Sequence, residues 1–172
     1  MRGPQWGLCL VALLGLAVFA GCEARRPAHS PARQMPSASP RTDETPGGLL
    51  FVRGYLQGYE QAREAGQPML VFFTAPGCSY CEQMVREASA DEQVVQLSRR
   101  FVCILVDADT EPEICREFRV RAYPTVQFMS PQGVPLNRVT GKTPAGQLAS
   151  QMQSALQATA SRLRYVRETA VR

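Results

Sequence analysis

Beyond residue 22, two stretches of five or more residues are apolar without interruption, residues 69–73 (Met-Leu-Val-Phe-Phe) and 101–106 (Phe-Val-Cys-Ile-Leu-Val). Neither alternates in the way of a strand with one wet face. Both therefore predict strands covered on both sides, the pattern of a parallel sheet clad in helices. A shorter run, residues 49–52, predicts an edge strand. Between and after these runs the apolar spacing turns helical. Tyr55, Leu56, Tyr59 and Ala62 stand against Glu60, Arg63 and Glu64, and Gly66 follows as a C-cap. Met84, Val85 and Ala88 stand against Glu82, Gln83, Arg86 and Glu87. Asp91 can cap a helical segment reaching Arg99, with Val94, Val95 and Leu97 apolar, and Pro112 suits the first turn of a helix over 111–118. Residues 120–129 read as an approach and a strand, 130–133 (Ser-Pro-Gln-Gly) as a turn, and 136–140 as the next strand. Thr143 can cap a last helix running from Pro144 beyond Leu156, with Leu148, Met152 and Leu156 on one face. The basic end, 162–172, extends that helix or frays.

The N-terminal part has a different character. Arg2 precedes a short apolar segment, residues 8–19, and then come Ala20, Gly21 and Cys22. A segment of that length is short for a bilayer span, and small residues at its end mark a cleavage site. Phe19-Ala20-Gly21-Cys22 resembles the lipobox of bacterial lipoproteins, in which the cysteine is acylated, with Phe19 where that motif usually has an aliphatic residue. An ordinary secretory signal and an uncleaved anchor are the alternatives. Residues 23–46 hold Pro27, Pro31, Pro36, Pro40 and Pro46 among serine, alanine and arginine, with almost nothing apolar. Such a composition reads as a disordered linker, with a coil reach of roughly 25–30 Å. The expected division is a signal peptide at 1–21, a lipidated Cys22 and linker at 22–46, a folded domain at 47–160 and a basic tail at 161–172.

Composition narrows the chemistry. The chain has 172 residues, 45% of them apolar, and a net charge of +4. That charge is too mild for a nucleic-acid binder, and the single tryptophan, Trp6, lies in the signal. His29, the one histidine, lies in the linker, so no histidine-dependent triad is available. Cysteine is the informative residue. Cys9 leaves with the signal and Cys22 is expected to carry lipid, which leaves Cys78, Cys81, Cys103 and Cys115. Export would place them where disulfides persist.

Cys78-Ser79-Tyr80-Cys81 follows a buried strand and the turn Ala75-Pro76-Gly77, and it opens a helix. The unpaired N–H groups of a helix start favour thiolate at the first cysteine. The second cysteine lies one turn on and on the same face, within reach of a disulfide. Half a zinc site, or two incidental core cysteines, are the other readings of this spacing. For Cys103 and Cys115, the first in a buried strand and the second on the following helix, three readings stand: inert core thiols, a structural disulfide, or a zinc site shared with Cys78 and Cys81. Core thiols are the expected outcome, and no bound metal is expected.

The combination of Ala75-Pro76-Gly77-Cys78-Ser79-Tyr80-Cys81, Val106-Asp107-Ala108-Asp109 and Phe118-Arg119-Val120-Arg121-Ala122-Tyr123-Pro124-Thr125, with Gly133 and Gly141 after it, resembles the thioredoxin superfamily over about residues 48–158. Phe73-Thr74-Ala75 and the opening helix are most similar to exported bacterial members. The resemblance implies an α/β thioredoxin-like fold, a central mixed sheet flanked by helices. It implies that Cys78 attacks and Cys81 resolves, and that Pro124 is a cis-proline facing them. It also implies that the backbone of Tyr123 pairs with a substrate peptide. X-Pro is where a cis bond is cheap, and a proline at a strand's start removes no ladder bond. The chain departs from the family in two places. Phe72 and Leu105 stand where thioredoxins carry a buried carboxylate and a lysine, and Ser79-Tyr80 replaces the Gly-Pro dipeptide. The implied activity is that of a membrane-tethered thiol–disulfide oxidoreductase on the periplasmic side of a bacterial membrane. It would exchange disulfides with exported proteins and with an unidentified redox partner, and it would need no cofactor. The alternative is a non-catalytic binding lipoprotein on the same scaffold, its cysteine pair structural.

Overall fold

The computed structural model describes residues 42–44 and 48–170. The proposed signal peptide, Cys22 and nearly all of the linker lie outside the described residues. In chain order the elements are β1 (Thr42–Glu44), β2 (Leu50–Arg53), α1 (Tyr55–Ala65), β3 (Met69–Thr74), α2 (Ser79–Ala90), α3 (Glu92–Ser98), β4 (Val102–Asp107), α4 (Pro112–Glu117), β5 (Thr125–Met129), β6 (Pro135–Thr140) and α5 (Ala145–Ala170). The described strands form one mixed sheet in the order β1-β2-β4-β3-β5-β6. β2 and β3 run parallel to β4, while β5 pairs antiparallel with β3 and β6 with β5. The expectation of a central mixed sheet flanked by helices is met.

The uninterrupted apolar runs have a direct cause in this topology. Along β3, Leu70 and Phe72 face one layer while Met69, Val71 and Phe73 face the other, so successive side chains enter different cores. The first core joins them to Met84 and Ala88 of α2, Val94 of α3, and Leu148, Met152 and Ala155 of α5. The second joins them to Ala62 of α1, Cys115 of α4, and Val52, Ile104 and Val106. β4 is shared in the same way, with Cys103 in the first core and Val102, Ile104 and Val106 in the second. With helices on both faces, a polar residue within 69–73 would be buried in one core or the other.

Helix ends follow local chemistry. Gly66 closes α1 at φ 63°, in the left-handed region where a side chain is costly, and its N–H bonds the carbonyls of Ala62 and Arg63. The Asp91 carboxylate accepts from the Val94 N–H at 2.9 Å and caps α3. Pro112 occupies the first turn of α4, where its missing N–H costs nothing. The Thr143 hydroxyl, expected as a cap for α5, instead donates to the Gly141 carbonyl at 3.1 Å.

Two local expectations change. The segment Thr42–Glu44, read as the end of the linker, pairs antiparallel with β2, with Asp43 opposite Phe51. β2 is consequently an inner strand, not an edge. The basic end follows the first of its two readings and extends the last helix, α5 carrying on to Ala170. Leu56, counted on the apolar side of α1, is 67% exposed, and Gly58 and Ala62 make the buried stripe instead. Among the described residues no helix is long and apolar enough to cross a membrane.

Candidate active site

β3 ends at Thr74, and the chain turns through Ala75-Pro76-Gly77 with Gly77 at φ 70°. The Cys78 N–H donates back to the Ala75 carbonyl at 3.1 Å, which closes the turn. Cys78 then becomes the N-cap of α2, and its Sγ accepts from the Cys81 N–H at 3.2 Å. The carbonyl of Cys78 takes the N–H groups of Cys81 and Glu82 at 3.0 and 3.2 Å. A sulfur at this position meets the free N–H end of the helix, where negative charge is favoured.

Cys78 and Cys81 are joined in a disulfide, with S–S at 2.06 Å and Cα atoms 5.3 Å apart. The two sulfurs differ in access. Cys78 is half-buried, whereas Cys81 is 2% exposed and packs into the first core. Between them, Tyr80 is 63% exposed, a large aromatic ring held in solvent beside the pair.

The Tyr123–Pro124 peptide bond is cis, as the resemblance implies. Its place is fixed by register. Phe73 pairs with Thr125, so Pro124 lies beside the last residue of β3, at the sheet end from which the cysteine turn departs. Pro124 is buried, and its carbonyl accepts from the Gly141 N–H at 2.8 Å. The Thr125 hydroxyl donates to the Ala122 carbonyl at 2.7 Å and pins the approach to the bond.

Phe72 and Leu105 are direct register partners across β3 and β4, so the two positions lacking charge lie side by side. Beside them a cavity of about 390 Å³ opens onto Cys81, lined also by Thr74, Glu82 and Val85. It is an apolar hollow with oxygen-bearing groups at its margin, a feature that local sequence pattern does not reveal.

Cys103 and Cys115 are free thiols. The possible structural disulfide between them is corrected, and they are the buried core thiols that the sequence favoured. Cys103 packs in the core beneath α2, α3 and α5, and Cys115 in the core on the other side of the sheet. The sheet, of which Cys103 is itself a part, separates the two side chains. Burial pushes the Cys103 thiol up to about 12, and its sulfur donates to the Ser98 carbonyl at 3.9 Å. Burial also raises the Cys115 thiol, while a hydrogen bond with the Tyr123 hydroxyl acts in the opposite sense. The same burial, with that bond, pushes Tyr123 up to about 12. Sequence reasoning missed this link between α4 and the residue before the cis bond, because only the folded chain brings the two groups together.

Strand, turn, N-capping cysteine, paired thiols and a cis-proline at one sheet end define a thioredoxin-type dithiol domain. Residues 57–156 match the thioredoxin-like domain family, and the chain belongs to it. It is 34% identical over 122 residues to a protein disulfide-isomerase of Gallus gallus, an alignment covering 70% of this chain but 19% of that protein. It is 33% identical over 88 residues to a thioredoxin-like protein of Synechocystis sp., covering 51% of this chain and 80% of that one. Among solved structures, a thioredoxin from Thermus thermophilus superposes with a TM-score of 0.57 at 26% identity, covering 62% of this chain and 87% of the other.

Proposed function

We propose that this protein is a thiol–disulfide oxidoreductase acting through Cys78 and Cys81. The observation that carries the reading is the asymmetric pair at the start of α2, an accessible sulfur at the N-cap bonded to a covered one a turn inside. In the reduced form Cys78, as thiolate, attacks a substrate disulfide. One substrate sulfur leaves as a thiol and a mixed disulfide with Cys78 remains. Cys81 then attacks Cys78, the second substrate thiol departs, and the Cys78–Cys81 bond is left. Run in reverse, the same pair oxidises dithiols. Tyr123, held at the same sheet end by the cis bond to Pro124, offers its backbone to an extended segment of the substrate, and Tyr80 adds an exposed aromatic face.

The substrates are exported proteins carrying thiols or disulfides, and a separate redox partner resets the pair. Cys22 carries the lipid that holds the domain on the periplasmic side of a bacterial membrane, and the proline-rich segment lets it reach away from that surface. These points rest on the sequence. An insulin-reduction assay tests the activity: the wild type should catalyse reduction and Cys78→Ala should not. Equal rates would leave a binding module as the reading. Cys22→Ser should release the protein from the membrane fraction, and unchanged retention and mass would sink the anchor.

A further inference from the structure

The resolving step sets a problem that this fold meets in its own way. Cys81 must lose a proton before it can attack, yet it is 2% exposed, so bulk water has little access to take that proton. The helix N-terminus helps Cys78 more, since the Cys81 N–H points at the Cys78 sulfur. The register neighbours Phe72 and Leu105 can accept no proton. What reaches the side of Cys81 is the cavity of about 390 Å³, roomy enough for several waters. Its lining holds one carboxylate, Glu82, together with the Thr74 hydroxyl. Arg86, one helical turn on, also lines it and stands 3.6 Å from the Glu82 carboxylate, an exposed pair that leaves the carboxylate at the mouth of the hollow and open to water. The other acid near this end of β3 is Asp107, the register partner of Thr74. Its carboxylate is taken by the Asp109 N–H at 2.9 Å, and it does not line the cavity.

Building on the oxidoreductase reading, we propose that Glu82 is the proton acceptor for Cys81, working through water in this cavity. The Cys81 S–H proton passes to water and on to the Glu82 carboxylate. The Cys81 thiolate attacks the Cys78 sulfur, the Cys78–Cys81 bond forms and the bond from Cys78 to the substrate breaks. The substrate sulfur leaves with the electron pair and takes up a proton from the protonated Glu82 or from solvent. The enzyme dithiol is oxidised and the substrate disulfide reduced, with no further reactant.

The test uses the reduced full-length protein and an aromatic disulfide probe, dithiobis-nitrobenzoate, whose two thionitrobenzoate equivalents are released in turn. The first release reports attack by Cys78 and the second resolution by Cys81. In Glu82→Gln the first phase should keep its rate and the second should slow by at least about 10-fold below the ordinary thiol pKa. The slowed phase should recover as pH rises, and Glu82→Asp should restore much of it. Glu87→Gln removes the same charge from the same helix, at a residue that pairs with Lys142, and should alter neither phase. A second phase unchanged in Glu82→Gln, or slowed equally by Glu87→Gln, overturns the assignment. Slowing by Asp107→Asn in place of Glu82→Gln overturns it as well. If the wild type releases neither equivalent faster than a free thiol does, the oxidoreductase reading itself falls.

Discussion

Replacing Gly58 by alanine should weaken this protein, although the same replacement usually strengthens a helix. Gly58 sits inside α1, where alanine would add about 1 kcal/mol of helix propensity. A Cβ there would stand 2.4 Å from Ile104 Cγ1, 2.6 Å from Cδ1 and 3.2 Å from Cγ2. Ile104 cannot give way, because it is fully buried in β4 with Val52 on one side and Val71 on the other. Its branched Cβ also leaves few rotamers. Overpacking of this kind costs about 1–3 kcal/mol, and contacts of 2.4 and 2.6 Å place it in the upper part of that range, about 2–3, so the net loss after the propensity gain should be about 1–2 kcal/mol. Urea unfolding of the oxidised protein reads it as a lower midpoint with an unchanged slope. Gly146 supplies the opposite case. It is exposed in α5 with nothing within 4 Å of an added Cβ, and Gly146→Ala should stabilise by about 0.5–1 kcal/mol. Ile104→Ala opens room at the contact, so the pair Gly58→Ala and Ile104→Ala should lose less than the sum of its parts. Stabilisation by Gly58→Ala, or strict additivity in that double mutant, would refute the packing argument.

Arg119 is exposed at the end of α4 with φ 53°, where glycine is the usual occupant, so Arg119→Gly should stabilise by about 0.5–1 kcal/mol in the same assay. Cys103 has its thiol raised from 9.0 to about 12 by burial, so the fold favours its protonated form. That contribution is complete below pH 9 and is lost as pH climbs toward 12, and Cys103→Ala should flatten the alkaline fall in stability. Cys81→Ser, expressed in its own compartment, should accumulate disulfide-linked adducts that reductant removes, while Cys78→Ser should accumulate far fewer. The reverse pattern would exchange the two roles.

Most of the fold is legible in the sequence because two of its strands are central. A strand covered on both faces favours apolar side chains at every position, and residues 69–73 and 101–106 show that pattern directly. Gly66 and Asp91 mark helix ends by chemistry that acts within a few residues. The dithiol is legible for the same reason, since its turn, cap and second thiol are contiguous. What could not be read depends on partners distant in the chain. The segment Thr42–Glu44 looks like linker because its strand character comes from backbone pairing with β2 rather than from its own side chains. Leu56 misled because a helix of mixed pattern leaves the rotational setting open, and the choice fell to the residue small enough to lie on Ile104. The hollow beside Cys81 and the bond between Tyr123 and Cys115 exist only once β3, β4, α2 and α4 have assembled.

The placement of the two unpaired thiols carries a consequence for assembly. In the unfolded chain, four cysteines of the domain can be wired into two bonds in three ways, and only Cys78 with Cys81 gives the dithiol its function. Once the sheet has formed, Cys103 and Cys115 are sealed in separate layers with the sheet separating their side chains, and neither meets an oxidant in solvent. The fold thus acts as a sorter, leaving one pair on offer and withdrawing two thiols from exchange. Miswiring is confined to the time before the sheet closes, so the productive order is to fold first and be oxidised second.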